Sequence, residues 1–317
     1  METNKYTFLL PAYKIEFFQE ALKSILNQTY KDFKLIIQDD CSPYDLKSIV
    51  DLYSTDRRIY YYRNEENIGG KSLVKCWNKL LSKANSEYII LASDDDVYDI
   101  HFLEEIDKLT IKYSNVDLFR SRVKPILSNG QEWDLDGMYE EYGNSLYYLY
   151  QRHLNNFIRC IGCYVFKLAR LNEIGGFVDF PLAWHSDDST ALLMSKNGIV
   201  NTNAKLFSFR HSNVNISSRK LNSKDAYLKA EATILYDYFF YDYVRQIKNM
   251  YPDSCTLKEK LISRSIEVHN SFIFNMFRYF SSYCNCKNFL ILLKKRRKCN
   301  KLKEIYRYII ARLKFIL

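Results

Sequence analysis

One apolar run that stops abruptly at acidic residues constrains this chain most. The run extends from Tyr88 to Ala92 and is followed, one residue later, by Asp94, Asp95 and Asp96. A strand buried on both faces of a parallel sheet has this composition. In open α/β sheets ligands bind beyond the carboxyl ends of the strands, where these carboxylates would lie. The cluster therefore has two interpretations, a site for Mg²⁺ or Mn²⁺ and an acidic turn that caps the next helix.

The first hundred residues alternate between short apolar segments and amphipathic segments with helical spacing. The apolar segments cover residues 6–10, 33–38, 59–62 and 88–92, and the helical ones cover 16–26, 44–52 and 71–84. This alternation predicts a parallel sheet covered by helices. Right-handed crossovers place all strand ends at one edge. The loops at 11–14, 39–42, 67–71 and 93–96 should therefore meet along one crevice.

Two phosphate-binding motifs are absent from the sequence. The first strand is not followed by GxGxxG, and no GxxxxGK[ST] occurs in the chain. Neither a dinucleotide-binding Rossmann unit nor a P-loop is therefore indicated. A phosphorylated ligand would be held through a metal ion rather than through a glycine cradle.

A second acidic pair, Asp187 and Asp188, lies in the more mixed second half of the chain. The segment Leu118 to Leu127 ends at Asn129-Gly130, which predicts a strand entering a hairpin. The acidic pair opens a helical segment that ends near residue 197. From the residues alone, either carboxylate caps that helix or one of them acts as a general base.

Charge and cysteine content exclude several classes of protein. The formal net charge is +9, but from Lys287 onward there are eleven basic residues and one acidic residue, so the excess belongs to the tail. A neutral body argues against nucleic-acid binding. The eight cysteines lack the two paired spacings of a zinc site. The first residues do not resemble a signal peptide, which predicts a cytoplasmic protein.

Six motifs, in this order and spacing, resemble family 2 inverting glycosyltransferases with a GT-A fold. They are PAY at 11–13, QDDCS at 38–42, NIGG at 67–70, SDDDVYD at 93–99, IGGF at 174–177 and DDSTALLMSKNG at 187–198. The resemblance covers about residues 5 to 220. It implies an α/β fold with a mostly parallel, Rossmann-like central sheet covered by helices, followed by a helical C-terminal extension.

The resemblance also implies roles for individual residues. Pro11, Ala12 and Tyr13 would border the nucleotide, Asp40 would hydrogen-bond its base, and Asp39 would support that loop. Lys71 would lie near the diphosphate, and Asp94 would also belong to the nucleotide site. Asp95 would be the main metal ligand, with Asp94 or Asp96 beside it on the ribose or the metal, and His211 a later metal or diphosphate contact. Asp188 would be the catalytic base. Three residues depart from the family pattern, namely Lys14 for Asn, Cys41 for Gly and Ser93 for the first Asp of Asp-x-Asp.

The implied activity is the transfer of one sugar, with inversion, from a nucleotide-diphosphate sugar to a glycan or lipid-linked acceptor in surface polysaccharide synthesis. A UDP-sugar is the first candidate for the donor. Mn²⁺ or Mg²⁺ would be the cofactor. The chain lacks the QxxRW motif of processive members. The alternatives are a non-catalytic nucleotide-sugar or carbohydrate-binding protein of the same fold and a nucleotidyltransferase.

The chain divides into a predicted catalytic domain, residues 1–220, and a predicted helical region, residues 221–317. Within the tail, 287–317, the apolar run Phe289 to Leu293 is too short to span a bilayer. Farther along, five apolar residues share one face of a basic helix, namely Ile305, Ile309, Ile310, Leu313 and Leu317. Such a helix either lies on an anionic membrane or packs on its own protein. We expect the first, at the inner face of the cell membrane.

Overall fold

The structure is a computed structural model, and it describes residues 4–154, 157–212, 215, 220–252 and 256–296. Residues 297–317, which carry the predicted membrane-binding helix face, lie outside the described residues. No helix in the described part of the chain is long and apolar enough to cross a membrane.

The first third of the chain forms four parallel strands with a helix after each of the first three. The strands are β1 (Tyr6–Ala12), β2 (Phe33–Asp39), β3 (Ile59–Arg63) and β4 (Tyr88–Leu91), and the helices are α1 (Phe18–Leu26), α2 (Leu46–Asp51) and α3 (Leu73–Leu81). They lie in the order β3-β2-β1-β4, and each neighbouring pair is parallel. All four residues of β4 are buried, as its uniformly apolar sequence predicts. The strand–helix alternation is thus confirmed within one or two residues at most boundaries.

The second half of the sheet is mixed. Its strands are β5 (Val97–Tyr98), β6 (Leu118–Leu127), β7 (Tyr142–Gly143), β8 (Tyr164–Lys167) and β9 (Ile199–His211). The order continues from β4 as β8-β6-β9-β5, with β7 also paired to β9. β8 is antiparallel to both β4 and β6, whereas β6 and β9 are parallel. The predicted turn at Asn129-Gly130 is present, and Gly130 has the positive φ of 82° that favours glycine there.

Helices cover both faces and extend the fold at its C-terminal end. They are α4 (Phe102–Lys112), α5 (Ser145–Gln151), α6 (Leu168–Glu173), α7 (Ser186–Met194), α8 (Ser223–Met250), α9 (Thr256–Ser282) and α10 (Cys286–Lys295). Phe240, Val244 and Ile247 of α8 join the main hydrophobic core. Helix α8 of the predicted helical region therefore shares a core with the sheet, and the division of the chain at residue 220 stays a prediction.

The start of the basic tail is folded against the protein. α10 buries Phe289, Leu292 and Leu293 in a cluster with residues of α8 and α9. The short apolar run that the sequence placed at 289–293 is therefore a docked helix. Burial of these side chains, at about 25 cal/mol per Å² of apolar surface, accounts for its attachment.

Candidate active site

Three loops meet at the carboxyl edge of the sheet, as the topology predicts. The backbone N–H of Asp40 donates to the carbonyl of Ala12 over 2.9 Å, and the Ser42 hydroxyl donates to the carbonyl of Tyr13 over 2.7 Å. The N–H of Tyr13 then donates to Asp94 Oδ2 over 2.9 Å. The ends of β1, β2 and β4 are thus tied to one another by hydrogen bonds.

Asp39 supports the loop after β2. It is fully buried and accepts hydrogen bonds from the N–H of Ser42 at 2.8 Å and from the Tyr61 hydroxyl at 2.6 Å, and it pairs with Arg63. Cys41, which follows two residues later, has a φ of 55°. Asp39 therefore holds this turn in place, and its role at a nucleotide site stays a prediction.

Asp40 closes the loop that carries the NIGG motif. Its Oδ1 accepts from Asn64 Nδ2 at 2.7 Å and from the N–H of Ile68 at 2.9 Å, and its Oδ2 accepts from the N–H of Gly69 at 2.6 Å. A Cβ on Gly69 would lie 2.8 Å from Asp40 Oδ2, so a larger residue here would displace this carboxylate from the loop. Both oxygens thus serve the loop, and the contact of Asp40 with a nucleotide base stays a prediction.

The remaining predicted nucleotide contacts differ in exposure. Ala12 is buried, Pro11 is half-buried and the Tyr13 side chain is 41% exposed beside Asp94. Lys71 lies at the start of the third helix segment, exposed, where it pairs with Glu66 at 2.6 Å. Of the residues 11–13, Tyr13 therefore has the most exposed side chain at the crevice. Lys71 forms its ion pair with Glu66 at the protein surface.

A lysine ammonium lies among the carboxylates after β4. Lys14 Nζ is 3.1 Å from Asp94 Oδ1 and also pairs with Asp95 Oδ2. The backbone N–H of Lys14 donates to Asp94 Oδ2 over 2.7 Å, and the Ser93 hydroxyl donates to Asp95 Oδ1. Although burial lowers it, the charges of Asp94 and Asp95 raise the pKa of Lys14 above its usual value.

Asp96 is held by the end of β9. Its Oδ1 accepts from the N–H of Arg210 over 2.8 Å, and Arg210 Nε donates to the carbonyl of Asp95 over 2.8 Å. The guanidinium also pairs with Glu20 of α1 at 2.7 Å. Burial, followed by the charge of Asp95, raises the pKa of Asp96 well above its usual value. Arg210 thereby fixes the acidic loop against both β9 and α1, a role that the sequence alone did not indicate.

The residues predicted as metal ligands do not form an open ligand set. His211 packs on Trp133, with ring centroids 5.4 Å apart. Within residues 4–154, 157–212, 215, 220–252 and 256–296, no group of three or more His, Cys, Asp and Glu side chains is arranged to hold a metal ion. Because Lys14 and Ser93 occupy the oxygens of Asp94 and Asp95, a divalent cation would have to displace the ammonium. The arrangement found here does not fit a bound divalent metal ion, and metal binding by Asp95, Asp96 and His211 stays a prediction.

The second acidic pair begins α7, and an arginine clamps Asp188. Arg152 Nε donates to Asp188 Oδ1 over 3.1 Å and its Nη2 donates to Oδ2, while the Tyr236 hydroxyl donates to Oδ2 over 2.5 Å. Arg159 Nε lies 3.8 Å from Oδ1. Burial alone would raise the pKa of Asp188, but the charges of Arg152 and Arg159 lower it to about 2.

Asp187 differs from its neighbour in charge environment. Its Oδ1 accepts from the N–H of Asp188 over 2.7 Å, and it has no ion pair within 4 Å in the described part of the chain. Burial, followed by the negative charge of Asp188, raises the pKa of Asp187 to about 6. Of the two carboxyl groups, Asp187 is thus the one whose pKa lies nearer to neutral pH.

One segment connects the two acidic pairs. The Tyr98 hydroxyl, two residues after Asp96, donates to the carbonyl of Gly162 over 2.9 Å, and Arg159 of the same segment faces Asp188. A Cβ on Gly162 would lie 2.7 Å from the ring of Phe207, so the segment packs closely on the sheet. Residues 159–162 therefore contact both the strand that follows Asp96 and the second acidic pair.

A cavity of about 320 Å³ opens beside Asp188. Its lining includes Arg152, Arg159 and Tyr236, together with Ser271 and Phe272 of α9. A larger cavity of about 700 Å³ lies near Asn115 and Gly198, before the first residues of β6 and β9. This is the edge at which these two parallel strands begin, opposite to the edge that carries Asp96 and Arg210.

Comparison with known proteins gives a consistent result. The sequence model of glycosyl transferase family 2 matches residues 7–175, more than half of the chain. A curated relative, the GalNAc(5)-diNAcBac-PP-undecaprenol beta-1,3-glucosyltransferase of Campylobacter jejuni, is 35% identical over 94 residues, which are 29% of this chain and 30% of that protein. The matched segments span well under half the length of the curated relatives.

Solved structures of low sequence identity share the fold. Staphylococcus aureus TarS 1-349 in complex with UDP-GlcNAc superposes with a TM-score of 0.60 at 17% identity, covering 98% of this chain and 91% of that one. The mannosyltransferase PcManGT from Pyrobaculum calidifontis, in complex with GDP-Man and Mn²⁺, gives 0.55 at 13% identity, covering 98% and 86%. The expected fold, with its largely parallel Rossmann-like sheet and added C-terminal helices, is confirmed as GT-A.

Proposed function

Because the chain belongs to glycosyl transferase family 2, we propose that it transfers a single sugar from a nucleoside-diphosphate sugar to an acceptor hydroxyl, with inversion at the anomeric carbon. The observation that carries this proposal is the meeting of the loops after β1, β2 and β4 at one edge, with Asp94 hydrogen-bonded to Tyr13. Ligands of open α/β sheets bind at this edge.

The donor is proposed to lie against the loops that end β1, β2 and β4. Pro11, Ala12 and Tyr13 would border the nucleoside, and Asp39 and Asp40 would keep the adjoining loops in place. A UDP-sugar is the first candidate because TarS was solved with UDP-GlcNAc. The predicted Mn²⁺ or Mg²⁺ dependence remains a prediction, since the acidic loop already holds Lys14.

We assign the proton-accepting role to the acidic pair of α7, and within it to Asp187 rather than Asp188. A general base works best when its pKa lies near the working pH. Burial and the charge of Asp188 bring the pKa of Asp187 to about 6, whereas the charge of Arg152 holds the pKa of Asp188 near 2. Asp188 would then anchor the helix start, and its negative charge would keep Asp187 basic enough to accept the hydroxyl proton.

The acceptor is proposed to be a glycan or a lipid-linked oligosaccharide that enters through the cavity beside Asp188. The Campylobacter relative is named for a diphospho-undecaprenol substrate, which supports a lipid-linked acceptor in surface polysaccharide synthesis. Such an acceptor is found at a membrane, which agrees with a peripheral location at its inner face. Binding through the tail of residues 287–317 stays a prediction.

The proposal is tested in two steps with the full chain. Thermal-shift measurements with UDP, GDP, TDP and CMP identify the nucleotide, because a ligand that binds the folded state raises the melting temperature. Transfer and donor hydrolysis are then measured with the matching nucleotide sugars, with Mn²⁺ and with EDTA. We expect one nucleotide to stabilise the protein and its sugar donor to be consumed. If no nucleotide shifts the melting temperature, the assignment is wrong.

The same assay addresses a non-catalytic binding protein. The ion pair of Arg152 with Asp188 specifically favours this alternative, because both oxygens of the predicted base are bound by the guanidinium and are not available to accept a proton. Nucleotide-sugar binding without any turnover would support the binding protein. Turnover that disappears in the Asp187→Asn variant, with nucleotide binding retained, would support the transferase.

A further inference from the structure

The starting observation is the position of Lys14 between two buried carboxylates. Its ammonium is 3.1 Å from Asp94 and paired with Asp95, whose side chains are 6% and 4% exposed. The third contact is longer, 3.4 Å to Asn215 Oδ1. The backbone N–H of the same residue also binds Asp94, so the lysine is held at both its main chain and its side chain. A lysine fixed in this way is part of the local architecture of the loop.

The carboxylate oxygens of Asp94 and Asp95 already have donors. Asp94 Oδ2 accepts from the N–H groups of Tyr13 and Lys14, and Asp95 Oδ1 accepts from Ser93. Mg²⁺ and Mn²⁺ need several free oxygen ligands in octahedral geometry. Removing Lys14 from the pair would leave two buried negative charges without their cation, which is costly unless the metal replaces it fully. Asp94 and Asp95 therefore already hold one cation, the ammonium of Lys14.

The lysine is also placed to act on a ligand. Its side chain is 28% exposed, and it lies directly after Tyr13, at the crevice where the proposed donor binds. A lysine ammonium binds phosphate as a compact point charge. The long contact to Asn215 is the one that a phosphate oxygen can replace while both carboxylates stay paired.

We propose that the ammonium of Lys14 is the resident cation of the donor site and that it binds the diphosphate of the nucleotide without a divalent metal ion. The inference rests on the proposed function, because it concerns the same donor. Lys14 stands where the family pattern has Asn, so this chain has a cationic side chain at a position that is usually neutral. A positive group at the leaving diphosphate stabilises the charge that develops as the glycosidic bond breaks.

The test compares the full-length wild type with Lys14→Asn, which restores the residue typical of the family. Calorimetric titration with UDP, or with whichever nucleoside diphosphate stabilises the protein most, is done in EDTA and in Mn²⁺. The wild type should bind equally in both. Lys14→Asn should bind about 10- to 100-fold more weakly in EDTA, since a charged hydrogen bond is lost, and Mn²⁺ should restore its affinity.

A second readout uses Mn²⁺ alone. Electron paramagnetic resonance of free Mn²⁺ should show no binding to the wild type and binding to Lys14→Asn. Lys108→Asn is the matched control, because Lys108 is exposed on α4 and pairs only with Glu104 and Glu105 among the described residues. This control should behave as the wild type in both experiments.

The outcomes separate the two proposals. Wild-type binding that requires Mn²⁺ would overturn the role of Lys14 and leave the glycosyltransferase assignment standing. Equal nucleotide affinity of wild type and Lys14→Asn in EDTA would also overturn it. Absence of nucleotide binding under every condition would overturn the proposed function itself and this inference with it.

Discussion

Two pairs of adjacent aspartates, one after β4 and one at the start of α7, are neutralised in different ways. Asp94 and Asp95 share the ammonium of Lys14, a point charge that is partly exposed. Asp188 is bound by the guanidinium of Arg152, which is almost fully buried and contacts both of its oxygens. A planar guanidinium fixes a carboxylate through two parallel hydrogen bonds, whereas an ammonium is a compact point charge that can keep both carboxylates and still bind a further anionic ligand. The first pair is therefore suited to a ligand that arrives and leaves, and the second to a permanent contact.

The clamp also divides the second pair into unequal halves. Asp188 is held ionised by Arg152, and its charge acts on Asp187, which has no arginine partner among the residues that the structure describes. In the first pair the same lysine contacts both members. An arginine placed on one of two carboxylates thus creates one fixed anion and one group that titrates near neutral pH.

The largest effect should come from removing the titrating carboxyl. Asp187→Asn should lower the transfer rate about 10²- to 10⁴-fold, the usual contribution of a general base, and leave nucleotide affinity unchanged. Steady-state transfer and calorimetric titration measure the two quantities. Asp188→Asn is the matched comparison, and we expect its main effect on stability. If Asp187→Asn keeps the wild-type rate while a folded Asp188→Asn variant is inactive, the base is Asp188 as the family resemblance implies.

A stability comparison tests the two cations. Arg152→Met should reduce the free energy of unfolding by about 3–5 kcal/mol, because Asp188 is left buried and unpaired. Lys14→Met should cost less, about 1–3 kcal/mol, since Asp94 and Asp95 keep their other donors. Denaturant titration gives both values, and Mn²⁺ should raise the stability of the Lys14 variant only. Equal losses, or rescue of the Arg152 variant by Mn²⁺, would contradict the distinction between the two pairs.

The smallest effect is a pH dependence. A general base must be deprotonated to accept a proton. Burial and the charge of Asp188 raise the pKa of Asp187 to about 6. The transfer rate should therefore fall about tenfold per pH unit below pH 6 and be constant above it. Since the pKa of Asp188 is about 2, the rate of a reaction that used Asp188 as the base would stay constant from neutral pH down to well below pH 6. The profile of kcat against pH, in a donor excess, distinguishes them. A flat profile down to pH 4.5 would contradict the role of Asp187.

The sequence was most informative where structure is set by local pattern. The buried run before Asp94 predicts β4, and the apolar spacing after Ser72 predicts α3, because strand and helix periodicity depend on neighbouring residues. The meeting of the loops at one edge follows from right-handed crossovers, a rule that needs no side-chain detail. The antiparallel insertion of β8 between β4 and β6 could not be predicted this way, since pairing is decided by packing between distant segments.

Long-range partners of the charged residues could not be derived from the sequence. Nothing in the pattern of the Tyr-rich helix α8 indicates that Tyr236 faces Asp188, 48 positions away. Lys14 was visible as a departure from the family motif, but its contact with Asp94 requires the loops to be placed in space. Likewise, the carboxylate of Asp40 suggested a ligand contact, whereas the folded loop offers it the N–H groups of Ile68 and Gly69.

The docking of α10 on α8 carries a practical consequence for work with shortened chains. α10 covers Ala226, Ala230 and Ile234, and the same helix α8 carries Tyr236. A fragment that ends before Cys286 would retain every group around Asp188, yet it would expose apolar surface on the helix that positions the tyrosine. If such a fragment loses turnover, the expected cause is displacement of the Tyr236 hydroxyl from Asp188. A melting curve of the fragment would show the accompanying fall in stability.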